Sequence, residues 1–304
     1  MSATTTAVTP IQIDDAEFLV ATTIERCPKT MMIRELMMNA IEAASLAPEG
    51  MRRVEIKAKE LNGVSKLSIW NTGPGMDANQ LFNMCDLAAS IGKQKSLDKN
   101  FGMGAKVASL PSNRYGLRYR SCKNGRVSQV TMGERDGVYG RLKIQVQDAI
   151  IDTLDVTDAV QAEGYSLERD WTEVTLFGNS AEQDTVRDPY NGDPRSDVHW
   201  LATYLYHRFY RIENGVKVVF YSNTHKLGQG TRNFEPITGR LFVFDRAETV
   251  TTPEGIKIHY IMTASTMIRA TTSRSAAPSN PMSARAPSFT NMRCMTCWSN
   301  AIGR

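Results

Sequence analysis

The stretch FGMGAKVASL, residues 101–110, sets two glycines, Gly102 and Gly104, one residue apart, then places Lys106 and runs on with helical spacing. Glycine is costly inside a helix and favoured where backbone must come very close to something else. The first N–H groups of a helix lack an internal partner, and its dipole favours an anion there. A lysine beside such a turn adds a point charge that suits the same guest. Alone, the stretch fits a phosphate cradle or a tight turn, so its meaning depends on its surroundings.

Upstream, helical patterning begins near Asp15 and restarts at Thr30, the expected N-cap, running through MMIRELMMNAIEAASLA to Pro48. Glu35, Asn39 and Glu42 fall at i, i+4 and i+7 and share one face of that helix. Met31, Met32, Ile33, Leu36, Met37, Met38 and Ile41 make most other positions apolar. A helix apolar nearly all round is buried, and a carboxylate on it needs a partner or a cavity. RRVEIKAKE (52–60) and SKLSIWN (65–71) alternate as two strands joined by a turn at LNG. In IWNTGPGMD (69–77) a strand ends at Asn71, Gly73-Pro74-Gly75 turns the chain, and Asp77 is the expected cap of a helix over 77–90. Two glycines at a strand end also let a flat ligand approach the backbone.

Residues 90–100 read as a polar loop. Strand-like segments follow at 115–123, 125–133, 140–148 and 172–179, with turn signals such as Asn124-Gly125 between them. Residues 196–212 pattern as an amphipathic helix, and strands are expected near 216–222, 239–245 and 256–262. From about Ser265 the composition turns to Ser, Ala, Arg and Met with scattered Pro and no period, which predicts a disordered tail over 265–304.

The chain has 304 residues, 41% hydrophobic and 22% charged, enough for one large domain or two smaller ones with a real core. Its net charge of +4 and lack of a long basic run do not by themselves argue for nucleic-acid binding. Five sparse cysteines are no disulfide framework and fit a reducing compartment. Cys294-x-x-Cys297 lacks the second pair of ligands that a structural zinc needs. No secretory leader and no membrane-length apolar run is present, so the expected location is cytoplasmic, with no membrane partner.

Taken in order, E-x-x-x-N on a helix, N-x-G-x-G-M after a strand and G-x-G-x-K before a helix resemble the GHKL ATPase superfamily. That group spans DNA gyrase-type topoisomerases, MutL, ninety-kilodalton heat-shock chaperones, histidine kinases and MORC proteins, and the match leans to the MORC-like or MutL-like hydrolase branch. Glu35, Asn39, Ala40, Glu42 and Ala43 carry the first box, Asn71, Gly73, Gly75 and Met76 the second, and Gly102, Gly104 and Lys106 the third. A looser fourth match is Thr172 in WTEVTLFG (171–178). The resemblance covers roughly residues 17–222.

The resemblance implies an α+β fold: a two-layer α/β sandwich whose mixed, mostly antiparallel sheet forms a Bergerat-type ATP-binding domain over 17–222. Residues 1–16 would be an N-terminal arm and 223–264 additional strands. It implies ATP and Mg²⁺ as cofactors, with Asn39 the metal ligand and Glu35 the catalytic base for the attacking water. Phe101, Gly102, Met103, Gly104, Ala105 and Lys106 would hold the phosphates, Asn71 with Gly73, Gly75, Met76 and Thr172 the adenine side, and 90–100 the lid. Glu42 would pair with a basic residue to hold the helix. Hydrolysis would drive a conformational cycle with an ATP-dependent homodimer and a DNA or protein client. Glu35 favours hydrolysis over histidine-kinase chemistry, because histidine kinases commonly carry Asn there. The second box departs from the family at Asn71, where hydrolysing members have Asp. That departure leaves a low-turnover nucleotide-gated switch as the alternative, with phosphotransfer of the histidine-kinase type third.

Overall fold

A computed structural model describes residues 12–87, 104–192, 200–209, 211–212, 215–224, 230–234, 246–253, 255, 257–262 and 298–300. Two compact units divide them, one running to Arg208 and resuming over Ile212–Phe234, the other holding Phe209, Arg211 and the described residues beyond 234.

The first unit opens with α1 (Ala16–Glu25), capped by Asp15, whose carboxylate accepts from Phe18 N at 2.8 Å. A 3-10 turn at Lys29–Met31 leads into α2 (Met32–Ser45). Thr30, the expected cap, lies inside that turn. The chain passes from Pro28 into helical conformation without a side-chain cap, and Thr30 O instead accepts the Tyr204 hydroxyl. β1 (Arg53–Leu61) and β2 (Val64–Thr72) then form the expected hairpin, with Asn62 and Gly63 both at positive φ (52° and 77°). Next comes α3 (Ala78–Met84), where Asp77 and Gln80 close a capping box. It ends well short of residue 90. α4 (Gly104–Ser109) precedes β3 (Gly116–Lys123) and β4 (Arg126–Arg135), which turn at Asn124-Gly125.

The segment expected as one strand over 140–148 is split. β5 (Val138–Arg141) pairs with β4, whereas β6 (Ile144–Val146) pairs with β7 (Ala149–Ile151). β8 (Thr153–Asp155), α5 (Thr157–Ala162) and β9 (Trp171–Gly178) follow, then α6 (Trp200–Arg208), β10 (Lys217–Phe220) and β11 (Arg232–Asn233). In the second unit β12 (Arg246–Thr251), β13 (Lys257–Met262) and β14 (Trp298–Asn300) make an antiparallel sheet in that order. Three residues of the segment expected to be a tail are thus in a strand. The rest of it, like the strand expected at 239–245, lies outside the described residues.

The main sheet runs β11-β10-β1-β2-β9-β3-β4-β5, with β8 also on β4. Only the β1–β10 pair is parallel. The architecture is α+β, a mixed and mostly antiparallel sheet with a helical layer. Strand residues alternate between faces. Val54, Ile56, Leu67, Ile69, Leu117 and Leu176 are buried on the helix side, where α2 lays Ile33, Leu36, Met37, Ala40 and Ala44 over β1 and β2. On the far side α5 sets Val160 into a smaller core with Cys122, Val127, Val156 and Trp171. Beside that core the far side is charged. Glu173, 1% exposed, accepts from Lys59 at 2.7 Å, Ser68 at 2.9 Å and the Tyr165 hydroxyl at 2.8 Å. Burial alone would raise the Glu173 carboxyl, but Lys59 and these donors hold it below the usual range.

Candidate functional site

α2 carries the first pair of expected residues. Glu35 is 7% exposed, and its carboxylate accepts from Arg34 Nη1 at 2.5 Å. One turn on, Asn39 is exposed, and its carboxamide has no partner among the described residues. Gly104, at the start of α4, closes against the same helix. A Cβ there would stand 2.3 Å from Glu35 Oε2, so the bare glycine is what lets that carboxylate reach α4.

The second glycine turn is held from two sides. Gly73 abuts α2, where a Cβ would lie 2.9 Å from Ala43 O. Gly75 has φ +60°, and a Cβ would come 2.0 Å from Cys122 O, which only glycine tolerates. Asn71 is buried, and its Nδ2 donates to Thr72 O at 2.8 Å. That bond spends a donor of the amide and leaves Oδ1 as an acceptor with no partner among the described residues. Across the strands Asn71 sits opposite Thr172, and Thr172 opposite Ser121. Ser121 Oγ lies 2.8 Å from Thr172 Oγ1, accepts from Met76 N at 2.8 Å and reaches Trp171 O at 3.1 Å. One hydroxyl thereby ties the glycine turn to β9.

These parts surround one cavity of about 720 Å³. Asn39, Asn71, Gly73, Gly75, Met76, Gly104, Ala105, Lys106 and Thr172 all line it, as does Glu42. Glu35 lies behind the wall at Gly104. Phe101, Gly102, Met103 and the loop 90–100 lie outside the described residues. The volume falls within the roughly 300–1,000 Å³ usual for small-molecule sites.

Lys106 lines the cavity with its ammonium bonded to backbone. It is 3% exposed, and its ammonium donates to Met84 O at 2.5 Å and to Asp86 O, closing the end of α3. Burial pushes its pKa down to about 8.

Sequence reading overlooked Ser121, Tyr119 and Lys123. The first two share the helix-side face of β3, and a small polar residue following Leu117 and Tyr119 on one face of YGLRYRSCK was the available signal. Lys123 lines the cavity with its ammonium on Gln80 Oε1 at 2.5 Å and Asp77 Oδ2 at 3.2 Å. Among the described residues no group of three His, Cys, Asp or Glu side chains could hold a metal, and Cys27, Cys85 and Cys122 are free thiols. No helix among them is long and apolar enough to cross a membrane.

No protein-family model and no curated protein matches the chain. Among solved structures it is similar to the 43K ATPase domain of Thermus thermophilus gyrase B, determined in complex with an aminocoumarin. The identity is 13% and the TM-score 0.42, over 76% of this chain and 56% of that one. This chain thus spans little more than half of that structure's length.

Proposed function

We propose that this chain binds ATP with Mg²⁺ in the cavity under α2 and hydrolyses it. The observation that carries the reading is convergence: three motifs from distant parts of the sequence meet around one hollow of suitable size. In this reading Asn71 offers Oδ1 to the amino group of adenine, since the Nδ2 bond to Thr72 O fixes the orientation of the amide. Gly73 and Gly75 let the base lie against backbone.

The residues present also suit a magnesium carried by the nucleotide. A hard cation that keeps several waters needs few protein ligands, and the Asn39 carboxamide, without a partner among the described residues, would supply one oxygen. Such an ion would offset phosphate charge. Asn39 orients the triphosphate toward α4, and Gly104 leaves the Glu35 carboxylate room beside it. Glu35 takes a proton from the attacking water. The reading extends to a nucleotide-driven dimerisation cycle with a DNA or protein client, rests there on the family resemblance, and is checked by whether duplex DNA stimulates turnover.

The deciding experiment measures ATP binding and turnover separately in wild type and Glu35→Gln. Retained binding with a turnover loss of about 10²-fold or more supports the general base. Failure of wild type to bind ATP would sink the reading. A second reading, a low-turnover switch, has its own support: the Arg34 guanidinium already engages Glu35 at 2.5 Å. Equal and negligible turnover in both proteins, with ATP bound, favours the switch.

A further inference from the structure

A second cavity, of about 620 Å³, opens on the far side of the sheet at its β4–β5 edge. Apolar and aromatic side chains form much of its wall: Tyr115 (44% exposed), Val138 (46% exposed), Leu142, Ile144 and Phe177. Arg135 and Lys143 are its exposed cations, and no Asp or Glu lines it. Arg135 is oriented but not neutralised. Its guanidinium donates to the carbonyls of Arg114, Glu134 and Tyr115, and no carboxylate meets it among the described residues. Lys143 has no partner among the described residues. Arg141 contributes to the wall only, since its guanidinium turns to Asp86 at 2.7 Å and to the Phe82 ring.

A third cation stands behind the wall. Arg118 stacks its guanidinium on the Phe177 ring, 4.9 Å from the centroid, and is the cross-strand neighbour of Thr131, which also lines the cavity. Arg118 is 9% exposed, its Nε is sealed with no acceptor, and it forms no ion pair among the described residues. The Thr175 hydroxyl directly opposite is likewise sealed and unpartnered. Nearby carboxylates are taken, Glu173 by Lys59 and Glu163 by Arg120. A cation withdrawn from water, with Glu173 and Glu163 acting on it only from beyond ion-pair distance, adds positive potential to the hollow beside it, because the low-dielectric surroundings screen it weakly.

We propose that this cavity binds a small amphipathic anion, an aromatic or short aliphatic body bearing one phosphate or carboxylate group. The apolar wall takes the body, and Arg135 and Lys143 at the rim take the oxyanion, with Arg118 adding charge through the wall. The site is independent of the nucleotide reading, being on the opposite face of the sheet and sharing no lining residue with the first cavity.

The test titrates phenyl phosphate, phenylacetate, benzyl alcohol and inorganic phosphate into the full chain, read by calorimetry. Each titration is repeated in Asn39→Ala to separate binding in the first cavity. The blocking variant is Gly140→Leu, because Gly140 lines the hollow and a Cβ there meets nothing within 4 Å, so the fold should accept it. Saturable binding of either aromatic anion is expected, about tenfold tighter than benzyl alcohol or inorganic phosphate, roughly 1.4 kcal/mol. Gly140→Leu should abolish it, Lys143→Glu and Arg135→Glu should each weaken it about fivefold, and Asn39→Ala should leave it intact. Preference for phenyl phosphate assigns a phosphate group, and preference for phenylacetate a carboxylate. Absent binding, equal affinity for benzyl alcohol, or binding indifferent to Gly140→Leu would overturn the proposal.

Discussion

The two faces of the main sheet are made by the same strands, yet they do opposite things with polar groups. On the helix side, Asn39 and the Asn71 oxygen have no partners among the described residues and stand at a cavity. On the far side, Glu173 is locked by three donors at 1% exposure, and Arg120 pairs with Glu163 at 2.8 Å. A buried charge is tolerable when it is paired, and breaking the pair costs more than the pair itself contributes. Asn39 and Asn71 thus face the first cavity with oxygens unspent among the described residues, whereas Glu173 and Arg120 on the other face are tied into ion pairs.

The sharpest attack on this contrast is at the joint between the faces. Gly75→Ala should cost about 3 kcal/mol or more in urea unfolding, since it forces a Cβ onto Cys122 O at positive φ. A loss below about 1 kcal/mol would mean that the glycine turn is not pinned to β3. Glu173→Ala should cost about 3 kcal/mol by removing the carboxylate that Lys59, Ser68 and Tyr165 all bond, leaving Lys59 only the more distant Glu163 at 4.0 Å. Arg118→Met on the same face should be close to neutral, within about 1 kcal/mol, because that cation makes no hydrogen bond among the described residues. If the two variants were equally costly, the far side would owe nothing to pairing.

Lys106 gives a pH test. Its folded-state pKa, near 8, lies below the ordinary lysine value, so between pH 8 and about 10.5 the unfolded chain holds the extra proton. Its contribution to stability therefore rises with pH across that window. Measured as the melting-temperature difference between wild type and Lys106→Met, the balance should shift toward wild type from pH 7 to pH 10. A flat difference would put the ammonium in water. Last, Asn39→Ala should change stability by no more than about 0.5 kcal/mol, because the side chain is exposed, while removing Mg²⁺-dependent turnover. A large unfolding cost would erase the distinction between the faces.

The sequence made local geometry easy to read where one residue type has one physical use. Asn62-Gly63 and Asn124-Gly125 both take positive φ at their turns, and Asp77 caps α3. Glu35 and Asn39 were legible as one helix face, and the glycines as points of close approach. Long-range placement was not legible. Nothing in residues 217–220 announces a parallel partner for β1, because a short apolar run suits any buried strand. α5 (Thr157–Ala162) passed unnoticed because it is too short to show a period. The bonds of the Lys106 ammonium were not legible because the carbonyls it meets, at the end of α3 and just beyond it, lie about twenty residues earlier. Ser121 was missed because its role depends on three strands and a turn meeting at one hydroxyl.

The parallel pairing of β1 with β10 sets a constraint on how the chain is made and cut. Residues 53–56 lie beside 217–220, so during synthesis the outer border of the first hairpin waits bare until some 160 later residues have emerged. A bare strand border is a template for foreign strands. Expression fragments stopped before Lys217 should therefore precipitate, while those carried through Phe234 should stay dispersed, because β10 and β11 then cover that border.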